Sequence, residues 1–571
     1  MKKLLAFFIV IVCIVPFLSA QNLQNKNFNL SNYNPVGNGS SDDTRAFQLL
    51  FADVQKAGGG NITIPAGKYF LKGDISIALT SNTNIFAYGA KILLPENLGD
   101  QSRIVLFEGT DIINFSWFGG FFQGYCFDPA NMKNTWEPNV NTRIIVIKTS
   151  RNGKTDNLTF RDIQSEKISG SVVNVNGYIE NDNIIPANFA TNISVENCNL
   201  INSGKFMWDY GYLWQIIVFP EDHTEEEKKM ALNYFDTSML ISGIVIKKDD
   251  SRVYLNNIKP QGNTKRLINK GVEICFYNDR LPSNIVKGKR YYVTEASDRY
   301  IEISESEVGK KLVFNDSGGA NVKIVNNVTE LFYQYAPINA GPGKGCIDLS
   351  GCMNTQIIGC RISALGDAMH IHKSYNNVFA NNHILGARMG AFFIAEHCKN
   401  STVIGNTVDG TNGSRVVSVE RSNENVTITG NIFRNGGRGS WINQPKNIII
   451  QNNVFINNTT KGTHDPKTGR RDFKTGGWQS FPEIYFTTYQ KGAEYGPVIL
   501  KDNIFTTGPN AAGVIQFERN GKDISVTGNI FKGTTVDILM DDKDNTIFID
   551  PAQKAVLKKG AEFSRSLFKN R

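Results

Sequence analysis

The sequence predicts an all-β protein: a parallel β-helix solenoid with an N-terminal capping helix and an inserted, mostly β subdomain. Three observations lead there. A short phrase ending in Gly-Asn, Asn-Asn or Gly-Cys returns every 22 to 25 residues. Within each phrase Val, Ile and Phe alternate with Asn, Thr and Ser, the period of a strand. The composition is globular, with 41% hydrophobic residues, 52 Gly and 18 Pro among 571, which excludes disordered, collagenous and multi-pass membrane classes.

The repeat is clearest in Asn354-Thr-Gln-Ile-Ile-Gly-Cys360, Asn376-Asn-Val-Phe-Ala-Asn-Asn382, Asn400-Ser-Thr-Val-Ile-Gly-Asn406, Asn425-Val-Thr-Ile-Thr-Gly-Asn431 and Asn447-Ile-Ile-Ile-Gln-Asn-Asn453. The intervals between the leading asparagines are 22, 24, 25 and 22. Gly and Asn tolerate the left-handed backbone of a sharp corner, so each phrase is a strand followed by a turn. One turn of this length cannot bury its own apolar face, and stacking solves that problem. Leucine-rich repeats share the period, but the phrases lack regular leucines and a helical half. Related phrases at Asn157, Asn192, Asp502 and Thr527 carry the coil nearly end to end.

Taken in order, residues 1–20 have the layout of a secretory leader: Lys2-Lys3, the apolar run Leu4 to Leu18, then Ser19-Ala20. Its removal takes the formal net charge from +8 to +6. No later apolar stretch is long enough to cross a bilayer, so a soluble, exported protein is expected, periplasmic or secreted, with no lipid anchor at Cys13. Seven further cysteines, Cys126, Cys198, Cys275, Cys346, Cys352, Cys360 and Cys398, form no disulfide framework and no zinc spacing. They are expected as buried thiols, with Cys352 and Cys360 as the one conceivable pair.

Residues 21–202 hold the cap and the first coils. Ser41-Asp42-Asp43 begins a helix over Thr44 to Ala57, Phe47, Leu50 and Val54 give it an apolar face, and Gly58-Gly59-Gly60 ends it. Such a helix closes the open end of the coil, where backbone and core would otherwise be exposed. The sheet starts at Ile62. Residues 203–339 break the rhythm and are expected as the inserted subdomain, with a short charged helix over Glu221 to Asn233. Strand-like runs follow at Met239 to Lys247, Ile274 to Tyr277 and Tyr291 to Ser304. Residues 340–571 hold the main coils.

The segment Asn38-Gly-Ser-Ser-Asp-Asp-Thr-Arg-Ala-Phe and the later Gly59-Gly60-Asn-Ile-Thr-Ile-Pro-Ala-Gly-Lys-Tyr resemble the opening of pectin-lyase-like proteins. These are secreted right-handed β-helices that include polygalacturonase-type glycoside hydrolases, polysaccharide lyases and phage tailspikes. The stretch Leu365-Gly366-Asp367-Ala368-Met369-His370-Ile371-His372-Lys373-Ser374 is similar to the hydrolase segment in which Gly precedes two Asp and a strand. Only Asp367 of that pair is present, and Arg388-Met389-Gly390 stands where the family has Gly-His-Gly. The resemblance thus implies the right-handed fold and a carbohydrate substrate, and the motif departs from ordinary polygalacturonase chemistry.

In a parallel coil, residues at one offset from the repeat stack about 4.8 Å apart. Counting back four from each leading asparagine gives Ser350, His372, Glu396, Arg421 and Asn443. Two residues earlier lie Asp348, His370, Ile394, Val419 and Trp441, and a one-residue slip would bring Glu420 outward. His370, His372, Glu396, His397, Glu420 and Arg421 therefore crowd into about three turns.

Such a cluster suits β-elimination at a uronate, where a cation neutralises the carboxylate, a base takes the C5 proton and an acid assists the leaving oxygen. His372 is the expected base and Arg421 or Arg388 the neutraliser. Glu396 or Glu420 would orient the histidine or donate the proton, and His370 and Asp367 complete the catalytic candidates. Lys373, His397 and Trp441 join Arg388 as candidate substrate contacts. So do Arg470, Arg471 and Trp478, from a loop whose cations and aromatic faces suit an acidic sugar chain. Two readings stand beside elimination: a glycoside hydrolase using Glu396 with Glu420, or Asp367, and a noncatalytic carbohydrate-binding or adhesive coil in which these residues form a solvated ladder. No nucleic-acid motif is present. Asp541, Asp542 and Asp544 complete no known Ca²⁺ loop, so neither cofactor nor metal is expected.

Overall fold

The computed structural model describes residues 26–95, 103–124, 141–181, 183–204, 243–255, 270–271, 273–278, 280–297, 299–326, 345–364, 366–387, 390–410, 415–437, 439–459, 482–488, 492–508, 513–533, 536–541 and 545–558. The expected leader at 1–20, Cys126 and the expected helix over 221–233 lie outside these residues, as do Arg388, Arg470, Arg471, Trp478, Asp542 and Asp544.

The alternation of apolar and polar residues is satisfied by three long parallel sheets, of 14, 13 and 13 strands among the described residues. Each coil contributes one strand to each sheet, and inward side chains from all three meet along a continuous core. Like stacks on like. Phe433, Phe455, Phe505 and Phe531 form a file of parallel rings, with centroids 5.0, 4.9 and 5.1 Å apart. Stacking at the strand spacing buries both faces of each inner ring.

The first coils are closed by helix α1, Thr44–Ala57, whose Phe47, Leu50, Phe51 and Val54 are buried. Phe47 meets Tyr69 at 5.6 Å and Phe51 meets Phe107 at 5.5 Å. Gly58 follows in the left-handed conformation, a C-terminal stop that glycine adopts without a Cβ penalty. The N-terminal detail differs from the expected cap. Asp43 occupies the cap position, but its carboxylate accepts from the Val36 and Gly37 amides, and Asp42 accepts the Thr44 N–H instead.

The repeat asparagines have two distinct jobs. The leading set is exposed and left-handed: Asn376, Asn400, Asn425 and Asn447 each donate to the asparagine one coil earlier, at 2.9 to 3.0 Å. The trailing set is buried. Asn382, Asn406, Asn431, Asn453, Asn503 and Asn529 form a second ladder in which each side chain bonds backbone and side chain of its neighbour. The residue before each buried asparagine takes positive φ, and at Gly405 a Cβ would stand only 2.6 Å from Asn381 Oδ1.

Residues 243–326 contain a six-stranded sheet whose strands pair antiparallel throughout. It has its own core, including Val253, Phe276, Tyr291, Ile301 and Ile324. The run from Tyr291 to Ser304 is a hairpin, Tyr291–Ala296 and Tyr300–Ser304, rather than one strand, because Ser297 closes a turn onto Tyr300. The coils on either side stay in register: Asn174 pairs with Asp348, Ala190 with Cys352 and Asn199 with Arg361. The six described cysteines are buried, and Cys352 and Cys360 do not pair. Their thiols donate to the carbonyls of Val175 and Val195, inside the coil.

Candidate active site

One sheet carries the chemistry. Its relevant strands are β1 (Val173–Asn176), β2 (Gly345–Ser350), β3 (Asp367–His372), β4 (Gly390–Ile394), β5 (Arg415–Val419), β6 (Ser440–Asn443) and β7 (Ile484–Thr487). Alternation along each strand sends one set of residues inward. Ile371, Ile394, Val419 and Ile442 are fully buried in the core. The next residue on each strand starts the corner.

Register then makes a file on the outer face: Asn174, Asp348, His370, Phe393, Ser418, Trp441 and Tyr485 are successive partners. Ile394 and Val419 are therefore not outward, as counting back from Asn400 and Asn425 suggested. The corner is one residue longer in those two coils, and a one-residue shift in a strand exchanges its faces. Ser418 and Glu420 take the outward places.

A second file begins with Asn176, Ser350 and His372 in register. At this corner four coils place Lys373, His397, Arg421 and Gln444 in the left-handed region. Most other corners use Asn, Gly or Asp there, so these residues sit in a conformation that costs about 1 to 3 kcal/mol each. The bend brings together side chains that strand register alone would separate. Ser350 Oγ lies 3.1 Å from His372 Nδ1, His372 Nε2 lies 3.0 Å from Glu396 Oε2, and the Arg421 guanidinium lies 3.7 Å from Glu396 Oε1. The Arg421 amide in turn donates to Asn443 Oδ1 at 3.3 Å. Side-chain exposure rises along this chain, from 25% at His372 and 28% at Glu396 to 47% at Arg421.

The hydrogen bond from His372, and then the charges of Arg421, His372 and Lys373, outweigh burial and hold the Glu396 carboxyl at about 2. Glu396 is thus an ionised acceptor at any ordinary pH. An acceptor-only carboxylate fixes the neutral imidazole with its proton on Nε2, leaving Nδ1 to accept from the Ser350 hydroxyl. The shift has a consequence for stability. A carboxyl lowered from 4.5 contributes fully above that value and loses its contribution as pH falls towards about 2. Glu396→Gln is expected to lower the thermal midpoint near neutral pH, with the gap to the parent closing between about 4.5 and about 2. A gap that persists unchanged in acid refutes the assignment.

The remaining candidates are distributed differently. His370 is buried, with Nδ1 3.3 Å from Asp348 Oδ2 and its ring 5.3 Å from Phe393. It lies beneath the second file, 6.4 Å from the His372 ring. Glu420 is buried and bonded at 3.1 Å to Arg415 and at 2.9 Å to Ser418, so it pairs with a cation that Glu396 does not touch. Asp367 is wholly buried, at 0% exposure, and so is not at the surface where a glycosidic bond would lie. Trp441, at 1% exposure, is held between the Arg415 guanidinium at 4.7 Å and the Tyr485 ring at 4.8 Å, so it does not offer a free face to a sugar. Lys373 is buried at the corner, and burial lowers the half-buried His397. Arg388, Arg470, Arg471 and Trp478 lie outside the described residues. Among the described residues no three His, Cys, Asp or Glu side chains gather as a metal site requires.

Two participants were not singled out from sequence. Ser350 stood in the counted file without a role, and only its 3.1 Å approach to His372 marks it. Arg415 had no signal, since its contact with Glu420, five residues on and just past the end of β5, becomes visible only when the chain bends there.

Residues 312–470 match the family described as "Right handed beta helix region". A curated relative, the mannuronan C5-epimerase AlgE3 of Azotobacter vinelandii, is 38% identical over 66 residues, 11% of this chain and 4% of the relative. Solved structures with a similar fold include the surface adhesin PfbA of Streptococcus pneumoniae (TM-score 0.43, 13% identity, 93% of this chain and 92% of that one). Another is an exopolygalacturonase of Thermotoga maritima (TM-score 0.42, 11% identity, 94% and 92%). No helix among the described residues is long and apolar enough to cross a membrane. With its coils stacked into three parallel sheets, and with residues 312–470 matching a right-handed β-helix region, the chain has the parallel β-helix fold.

Proposed function

We propose that the protein is an exported enzyme that acts on a uronate-containing glycan by β-elimination, with His372 as the base. The observation that carries this reading is the chain Ser350, His372, Glu396, Arg421, in which an imidazole with a fixed tautomer stands beside an exposed guanidinium. The C5 proton of a uronate is weakly acidic until its carboxylate is neutralised. Arg421 supplies that charge in a fork that matches a carboxylate. His372 Nδ1 then takes the proton, exchanging its bond from Ser350 for the substrate, while ionised Glu396 stabilises the imidazolium that forms. The imidazolium is the acid at hand for the departing oxygen at C4.

Hydrolysis fits these residues less well. It requires a carboxylic acid held protonated beside a carboxylate. Glu396 is held near 2, Glu420 is committed to Arg415 and Ser418, and Asp367 is buried. The locally matching relative is named for epimerising mannuronan at C5, and removal of the C5 proton is the first step of both epimerisation and elimination. That local likeness supports an acidic sugar as substrate.

The test is incubation of the purified protein with polyuronates and with neutral glycans. The expected result is the ultraviolet chromophore of an unsaturated uronate, from the polyuronates alone. New reducing ends without the chromophore mean hydrolysis, and no change in any glycan sinks the enzymatic reading.

A further inference from the structure

Ser350, His372 and Glu396 have a geometry that elimination does not use in full. A hydroxyl lies within hydrogen-bond reach of one imidazole nitrogen, and a carboxylate held ionised orients the other. That is the arrangement of nucleophile, base and orienting group required for acyl transfer. The residues come from three successive coils, β2, β3 and the corner after β4, so no sequence motif announces them. The nitrogens are exchanged relative to the usual triad, with the hydroxyl on Nδ1 and the carboxylate on Nε2, but the proton path is the same.

We infer that Ser350 is the nucleophile of an esterase activity at this site, directed at carboxylic esters carried by a glycan. The glycan part rests on the proposed function, and the esterase part does not. Ser350 Oγ attacks the ester carbonyl carbon as its proton passes to His372 Nδ1. Collapse of the tetrahedral intermediate expels the sugar alcohol, which takes that proton and leaves an acyl-serine. Water, deprotonated by the same nitrogen, then releases the carboxylic acid and restores the hydroxyl. Glu396 remains ionised throughout and holds the imidazolium.

The experiment treats the folded full-length chain with a fluorophosphonate probe, maps the adduct by peptide mass, and follows p-nitrophenyl acetate hydrolysis in the same preparations. The expected result is one adduct, on Ser350, absent after heat denaturation and in His372→Ala. Ester hydrolysis should fall at least about 100-fold in both Ser350→Ala and His372→Ala. No adduct on the parent chain, an adduct on another residue, or undiminished labelling in His372→Ala overturns the inference. Labelling of the parent chain is informative even if a variant fails to fold. The uronate chromophore is read in parallel: chromophore without adduct overturns the esterase and leaves elimination, and adduct without chromophore does the reverse.

Discussion

Replacing His372 with alanine is expected to slow uronate elimination by about 100- to 10,000-fold, the range attributable to a positioned acid-base group. The loss should fall on kcat. The fold should survive, because His372 and its partner Glu396 are both partly exposed and stay open to water. Arg421→Ala removes the group that would bind the substrate carboxylate, so KM should rise together with the fall in kcat. His370→Ala is the informative contrast. It is buried against Asp348 and Phe393, and its removal should cost stability before it costs turnover. Kinetics of the three variants on one polyuronate, with thermal midpoints measured alongside, check the set. Unchanged turnover in His372→Ala sinks the site assignment.

The largest expected effect on stability lies in the buried asparagine ladder. Asn431 Oδ1 accepts from both the backbone and side-chain nitrogens of Asn406, and Asn431 Nδ2 donates to Val403, Thr429 and Asn453, all near 2.9 to 3.0 Å. Asn431→Ala leaves several of these groups buried without partners, at about 1 to 3 kcal/mol each. A total of about 3 kcal/mol or more is expected. Asn425→Ala should cost about 1 to 2 kcal/mol, since its ladder faces water and the main loss is the left-handed preference of asparagine. Chemical denaturation of both variants tests the ranking, and equal midpoints refute the distinction between the ladders.

Much of the architecture was legible because a solenoid repeats one local solution. Each corner needs a left-handed residue and each strand needs alternation, so Asn354, Asn376, Asn400, Asn425 and Asn447 announced the coil one turn at a time. The cap was legible for a similar reason: Phe47, Leu50 and Val54 recur at helical spacing before three glycines. The site was legible only where coil lengths agree. Counting from the asparagines brought Ser350, His372, Glu396 and Arg421 to one corner, but it turned Ile394 and Val419 outward when they are core residues.

The sequence by itself determined that this chain is a stacked β-helix, because period, alternation and corner residues are local properties that each coil states independently. It also brought imidazole, guanidinium and carboxylate groups into neighbouring turns. Only the tertiary structure decided which of them touch. Face is set by a single residue of register, and hydrogen bonding by where the backbone bends. The left-handed bends at Lys373, His397 and Arg421 gather Ser350, His372, Glu396 and Arg421 into one connected group, while Glu420 turns to Arg415 and Trp441 is buried between Arg415 and Tyr485.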